Sequence, residues 1–371
     1  MEHHADFSFF DLVEAYFDCR RTKRNSVSAL AFEECLERNL RDLYDDLADG
    51  SYRPGPSICF VITRPKPREV WAADFRDRVV HHLLYNHISP SFYARFSADS
   101  CACIPGRGTL YGAKRLDHHV RGITKNWSQP AFYLKCDLAN FFVSIDKNIL
   151  HRLLEKRIQE PWWLRLTETV LFHDPRQNFL YRGDPRKVSL VPPHKRLIGQ
   201  PSHLGLPIGN LSSQFFANVY LDVIDQFVKH GLRCRHYIRY VDDFVLLHQS
   251  PQWLNDAKRK IEAVLHDQLA ARLNPTKTIL QPIQNGIDFV GQVISPWRRT
   301  VRRRSFNEAV RRVREIDAQD LMETGNSYFG LLRQASHSHN DRAQLANELR
   351  RRGYTIKSDL TKTYRRSSER K

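Results

Sequence analysis

Tyr237-Ile238-Arg239-Tyr240-Val241-Asp242-Asp243-Phe244-Val245-Leu246-Leu247 sets two adjacent acids between apolar runs. Apolar flanks broken by charge predict a β-hairpin with carboxylates at its tip. Holding two carboxylates together at a turn costs free energy through like-charge repulsion unless a cation is bound. Mg²⁺ suits such a place, because it takes oxygen ligands and is commonly shared with substrate phosphates. The alternative is an acidic turn that only caps a hairpin. The tetrad Tyr240-Val241-Asp242-Asp243 does not by itself decide between the two.

The rest of the chain narrows the choice. At 371 residues it can bury a large core and form more than one domain. No apolar run approaches the length of a membrane-spanning helix, and Met1-Glu2-His3-His4-Ala5-Asp6 lacks the pattern of a secretory signal, so a cytoplasmic protein with no membrane partner is expected. The net charge of +17, with a pI near 9.7, favours a polyanionic partner, and nucleic acid is the commonest one inside cells. The excess clusters late, at Arg302-Arg303-Arg304, Arg311-Arg312, Arg350-Arg351-Arg352 and Arg365-Arg366. The cysteines, Cys19, Cys35, Cys59, Cys101, Cys103, Cys136 and Cys234, form no Cys-x-x-Cys pair or zinc spacing and read as reduced core thiols.

Periodicity predicts helices over residues 8–50, broken at Arg20–Arg24 and ended by Asp49-Gly50, then strands at 57–64 and 68–73 around Pro65 and Pro67. A helix from Phe75 through His87, a strand at 131–137 and a helix from Asp146 to Lys156 capped by Asp146 follow. Residues 173–204 are rich in Pro, Gly and Arg and read as a long insertion or hairpin loop containing a strand-like Asn178–Tyr181. Next come a helix at 212–229, the acidic hairpin at 235–248, a helix at 252–270, a strand pair through Phe289-Val290-Gly291, and basic helices over the last seventy or so residues.

If Asp242 and Asp243 hold metal, a third acid is needed, since a two-metal site bridges ions about 4 Å apart. Asp137 ends the strand Phe132–Cys136 and is the best candidate, although a lone Asp at a strand end is also a common turn residue or cap. The sequence after it, Asp137-Leu138-Ala139-Asn140-Phe141-Phe142, adds consecutive aromatics that suit a floor under a nucleotide sugar.

With these residues the chain resembles a bacterial reverse transcriptase over nearly its whole length. The resemblance implies an α+β, right-hand polymerase fold with a ferredoxin-like antiparallel palm, mixed fingers and a short helical thumb. The corresponding division is a helical extension at 1–50, fingers at 51–130, palm at 131–149, fingers or insertion at 150–204, palm at 205–297, and basic thumb and tail at 298–371. It also implies RNA-directed DNA synthesis from dNTPs on an RNA template, with RNA/DNA duplex as product and two Mg²⁺ ions, or Mn²⁺ in their place. Asp137, Asp242 and Asp243 would hold the ions, Leu138 would lend a carbonyl, and Phe142 would act as a steric gate against a ribose 2′-hydroxyl.

Gly205-Leu206-Pro207-Ile208-Gly209-Asn210-Leu211-Ser212-Ser213-Gln214, with Asn218 a helical turn beyond, resembles the motif that packs on the templating base pair. Glycine there lets the backbone approach the nucleotide. Most reverse transcriptases carry Gln-Gly-x-x-x-Ser-Pro at this place; Ile208-Gly209 and Ser213-Gln214 follow instead the pattern of diversity-generating retroelements. Those enzymes copy template adenines unfaithfully, and the resemblance extends to a small basic accessory protein as partner. Lys66 and Arg68 are similar to the family's triphosphate-binding pair, or are solvated turn residues. Arg76 and Arg78, followed by His81 and His82, are expected to contact template backbone. Lys277 resembles the lysine near departing pyrophosphate. Tyr240, Gln214, Phe289 and Gly291 are assigned to the template–primer. Rival roles are a phage-defence, retron or group II intron enzyme, the last disfavoured because no maturase extension or Cys/His nuclease module follows the thumb. A class apart stands an RNA-binding protein on a catalytically dead scaffold.

Overall fold

The computed structural model describes residues 6–21, 26–64 and 66–365. In chain order the elements begin α1 (Phe9–Arg21), α2 (Val27–Glu33), α3 (Leu36–Ala48), β1 (Ser57–Ile62), β2 (Arg68–Ala72), α4 (Phe75–Tyr93) and α5 (Thr109–Ile123). Next are β3 (Phe132–Asp137), α6 (Phe141–Ser144), α7 (Lys147–Glu155), α8 (Pro161–Phe172), β4 (Phe179–Tyr181) and α9 (Leu211–Gln226). Then follow β5 (Tyr237–Tyr240), β6 (Asp243–His248), α10 (Pro251–Leu269), β7 (Ile279–Pro282), β8 (Ile287–Phe289), β9 (Gln292–Ser295) and β10 (Arg298–Val301). The chain closes with α11 (Arg303–Glu315), α12 (Ala318–Leu332), α13 (His339–Arg351), β11 (Tyr354–Ile356) and β12 (Thr363–Arg365). The described residues form two compact units, one of 6–103, 137–233 and 259–276, the other of 104–136, 234–258 and 277–365.

In the first unit, α1 buries Leu12 and Tyr16, and the Tyr16 hydroxyl donates to Glu33 of α2 (2.8 Å) beside the guanidinium of Arg20. Helix α4 runs past the expected end at His87, through Pro90, because Ile88 and Phe92 continue its buried apolar set. The same helix buries Asp77, which accepts from the Tyr52 hydroxyl (2.9 Å) and the Gly55 N–H (2.8 Å). It also buries His81, whose pKa burial pushes down to about 3. A folded pKa below the unfolded one means that the unfolded chain takes up the proton first. Stability from neutral His81 is thus complete above about pH 6.5 and is lost as pH falls toward 3. Denaturant titrations at pH 7.5 and 5 should show a smaller acid-side loss for His81→Gln than for the wild type; equal losses would remove His81 as the cause.

Strands β2, β1 and β4 form a three-stranded sheet in that order. β1 and β2 pair antiparallel, but β4 lies parallel to β1, so the 173–204 stretch is not a simple hairpin. One face packs Cys59, Trp71, Phe179 and Tyr181 under Leu197, and burial drives the Cys59 thiol up to about 12. Asp146 caps α7, accepting from Asn148 and Ile149 N–H, as its position in the sequence predicts.

The second unit contains a four-stranded sheet of order β5-β6-β3-β7, with β5–β6 and β3–β7 antiparallel. With helices in the β3–β5 and β6–β7 connections, this order is that of a ferredoxin-like sheet. Residues 104–130 belong to this unit, where α5 lies on β5 and β6. A second sheet, β10-β9-β8, adds a strand beyond the expected pair. The C-terminal helices α11, α12 and α13 share a core of Phe306, Val313, Leu321, Phe329 and Leu345. They are followed by a β11–β12 hairpin that the sequence reading missed, its three-residue strands too short for alternation to show. Asn326 holds it to α12, donating to the Thr363 carbonyl (3.1 Å) and accepting from its N–H (2.8 Å).

Candidate active site

β5 and β6 meet in a two-residue turn: Tyr240 pairs with Asp243, leaving Val241 and Asp242 at the tip. Val241 has φ +54°, a conformation that a β-branched residue adopts only under constraint, at a cost of about 1–3 kcal/mol. Arg239 supplies part of that constraint, its Nη1 donating to the Val241 carbonyl (3.1 Å). Arg239 is 1% exposed, and a buried charge is retained in a strand only where its contacts offset desolvation. The sequence reading missed Arg239, although a lone cation inside an apolar strand is a legible signal. Tyr240, Asp242 and Asp243 remain partly exposed.

Asp137 is the last residue of β3, the strand that neighbours β6 in the sheet. Within the first unit the chain from 137 to 139 runs against 272–274: Asn274 N–H donates to the Asp137 carbonyl (2.7 Å), and Ala139 N–H to the Arg272 carbonyl (3.0 Å). Asn274 Nδ2 donates to Asp137 Oδ1 (3.3 Å), a partner that sequence spacing does not reveal. Leu138 is buried and bridges Leu273. Asn140, at φ +52°, turns the chain into α6 and carries Phe142, which is partly buried.

Gly205 N–H donates to the Ile145 carbonyl and Leu206 N–H to the Phe142 carbonyl, both at 2.8 Å, which sets Phe142 against the start of the glycine-bearing loop. The other end of that loop docks on β2. Trp71 N–H donates to the Ile208 carbonyl (2.7 Å) and Ala73 N–H to Asn210 Oδ1 (3.0 Å). Gly209 has φ +133°, and a Cβ there would lie 2.9 Å from the Trp71 carbonyl oxygen. Ile208 is partly buried, and Gln214 is exposed on α9. Asn218 is instead buried and donates to the Ala102 carbonyl (2.8 Å), a structural contact.

Lys66 and Arg68 are exposed at the β1–β2 connection, while Pro65 lies outside the described residues. Lys277 is exposed at the end of a short turn, Pro275–Lys277. Arg76 pairs with Asp46 and stacks over Tyr52 at 5.1 Å, and Arg78 Nε donates to the Ala73 carbonyl (2.8 Å), contacts made within the first unit. Phe289 is fully buried, and Val290 and Gly291 beyond it turn the chain at φ +45° and +85°. Of the C-terminal arginines, Arg302 binds Asp288, Arg311 binds Glu308 and Glu315, and Arg314 and Arg351 share Glu348. Arg303, Arg304, Arg350 and Arg365 are exposed as well, and Arg366 lies outside the described residues.

The donor set of carboxylates and main-chain carbonyls fits Mg²⁺, a cation that takes oxygen ligands and completes its shell with water and phosphate. Among the described residues no group of three His, Cys, Asp or Glu side chains forms a ready metal cage. No helix among these residues is long and apolar enough to cross a membrane.

The reverse transcriptase (RNA-dependent DNA polymerase) family model matches residues 64–294. Protein YkfC of Escherichia coli (strain K12) is 21% identical over 342 residues, 83% of each chain. Nuclear intron maturase 1, mitochondrial, of Arabidopsis thaliana is 33% identical over 104 residues, 28% of this chain and 14% of that one. Among solved structures, telomerase from Candida albicans in complex with a fragment of telomeric RNA gives a TM-score of 0.49 at 11% identity, covering 87% of this chain and 60% of its own. Apo telomerase from Candida tropicalis gives 0.46 at 16%, covering 65% and 53%. The family match spans more than half of the sequence and includes Asp137, Asp242 and Asp243, and the chain belongs to the reverse transcriptase family.

Proposed function

We propose that this chain is an active RNA-directed DNA polymerase that extends a primer on template RNA with dNTPs. The observation that carries the reading is the acidic turn Asp242-Asp243 between β5 and β6, with Asp137 ending the neighbouring strand β3. Asp137, Asp242 and Asp243, with the Leu138 carbonyl, would hold two Mg²⁺, or Mn²⁺. When bound, such ions lower the pKa of a primer 3′-hydroxyl and offset charge on the departing pyrophosphate. The protein's own share is positioning. Phe142 excludes a ribose 2′-hydroxyl, Ile208 and Gly209 lie along the nucleotide, and Lys66, Arg68 and Lys277 attract phosphate. Tyr240, Gln214 and the Val290-Gly291 turn face template and primer. Extension of a DNA primer on an RNA template, with and without Mg²⁺, tests the reading; no product under any divalent metal would leave the RNA-binding scaffold as the better account.

The finer reading is error-prone synthesis of the diversity-generating type, motivated by Ile208, where an aliphatic group stands in place of an amide able to hydrogen-bond near the incoming nucleotide. Losing such a bond relaxes discrimination by about 1 kcal/mol, roughly five-fold in misincorporation. Ile208→Gln should reduce errors at template adenines by that factor; equal error spectra would sink the retroelement reading and favour a defence or retron role. A small basic accessory protein belongs to this reading. The maturase likeness favours an intron role as second reading, which binding to a group II intron RNA would reveal.

A further inference from the structure

Lys135 stands two residues before Asp137 on β3, so both side chains leave the same face of the strand. It is 15% exposed. Its Nζ donates to the Asp288 carbonyl on β8 (2.9 Å) and lies 3.9 Å from Asp243 Oδ2. The first contact is a short charge-assisted hydrogen bond; the second is too long for one and acts through charge alone. The Asp288 side chain is itself held, accepting from Arg302 Nε at 2.8 Å. That residue immediately precedes buried Phe289 and the Val290-Gly291 turn, so the ammonium joins one strand end of that turn to the acid at the start of β6.

We propose that Lys135 is a positioning residue that couples Asp243 to the Val290-Gly291 turn, opposing metal at the acid while holding the turn that receives the primer end. The proposal rests on the polymerase reading above. Its two contacts act with opposite sign. A fixed ammonium near Asp243 repels a divalent cation arriving at that carboxylate, so removing the charge tightens metal binding. The same removal releases the Asp288 carbonyl and loosens the turn, which weakens primer–template binding. A residue that served only to pack the sheet would not move the two properties in opposite directions.

The test compares full-length wild type, Lys135→Met, which keeps the apolar stem, and Lys135→Arg, which keeps the charge. Mn²⁺ alone is titrated without nucleic acid and followed by electron paramagnetic resonance, and KM for primer–template is measured at saturating Mg²⁺. Lys135→Met should bind Mn²⁺ about three- to ten-fold tighter and raise KM about five-fold, with Lys135→Arg within about two-fold of wild type in both. Unchanged or weaker Mn²⁺ binding in Lys135→Met, an unchanged KM, or a Lys135→Arg variant that behaves like Lys135→Met overturns the coupling. Should Lys135→Met fail to fold, Lys135→Gln enters the same measurements with the same criteria. A wild type that makes no product defeats the polymerase reading, while the Mn²⁺ titration still decides whether Lys135 opposes metal at Asp243.

Discussion

Primer extension by Asp242→Asn should fall by a factor on the order of 10³, the scale at which losing a charged group aimed at the reacting phosphates is felt. The fold should not suffer. Asp242 sits partly exposed at the tip of the β5–β6 turn, next to Asp243, so replacing one carboxylate by an amide of the same shape relieves like-charge repulsion. The contact from Arg239 Nη1 to the Val241 carbonyl is made to main chain and does not depend on the charge of residue 242. The melting temperature without metal should therefore stay level or rise slightly while activity vanishes. Extension within ten-fold of wild type would remove Asp242 from the metal-holding set; lost activity with a collapsed melting temperature would make it a folding residue instead.

How far the sequence discloses this site depends on the range of the forces that build it. The acidic hairpin and β3 are legible because each is a short apolar run ended by charge, and the side-chain alternation that makes a strand lies within a few residues. The Asp146 cap and the Val290-Gly291 turn are legible for the same reason. What escapes is set by partners far along the chain. Asn274 meets Asp137, and β2 receives the Ile208 carbonyl and Asn210, across separations that no local pattern records. Likewise Arg76 and Arg78 look like free cations in sequence, until Asp46 and the Ala73 carbonyl are found beside them. Phe289 resembles a primer-gripping residue by motif, yet its strand turns it wholly into the core. Motif resemblance locates the turn; only packing says which of its side chains faces out.

The docking of the 205–210 loop on β2 predicts the second large effect, at Gly209. Its φ of +133° is strained for any residue with a Cβ, and the added atom would sit 2.9 Å from both the Trp71 carbonyl oxygen and Val70 Cγ1. A backbone carbonyl in a paired strand cannot rotate aside as a side-chain tip can. Gly209→Ala must therefore push the loop off β2, stretching the Trp71–Ile208 hydrogen bond and the Ala73–Asn210 contact together. Strain of about 1–3 kcal/mol corresponds to roughly five- to 150-fold, and it falls on the segment assigned to the incoming nucleotide. The expected result is a KM for dNTP at least about ten-fold higher, with primer–template affinity near wild type. Gly291→Ala supplies the comparison: it has φ +85° but nothing within 4 Å of a new Cβ, so it carries backbone strain without a clash. Its defect should appear in primer–template KM rather than in dNTP KM, because that turn is assigned to the primer. If Gly209→Ala leaves dNTP KM within two-fold of wild type, the loop does not depend on β2 for its placement, and the nucleotide role of Ile208 and Gly209 falls with it.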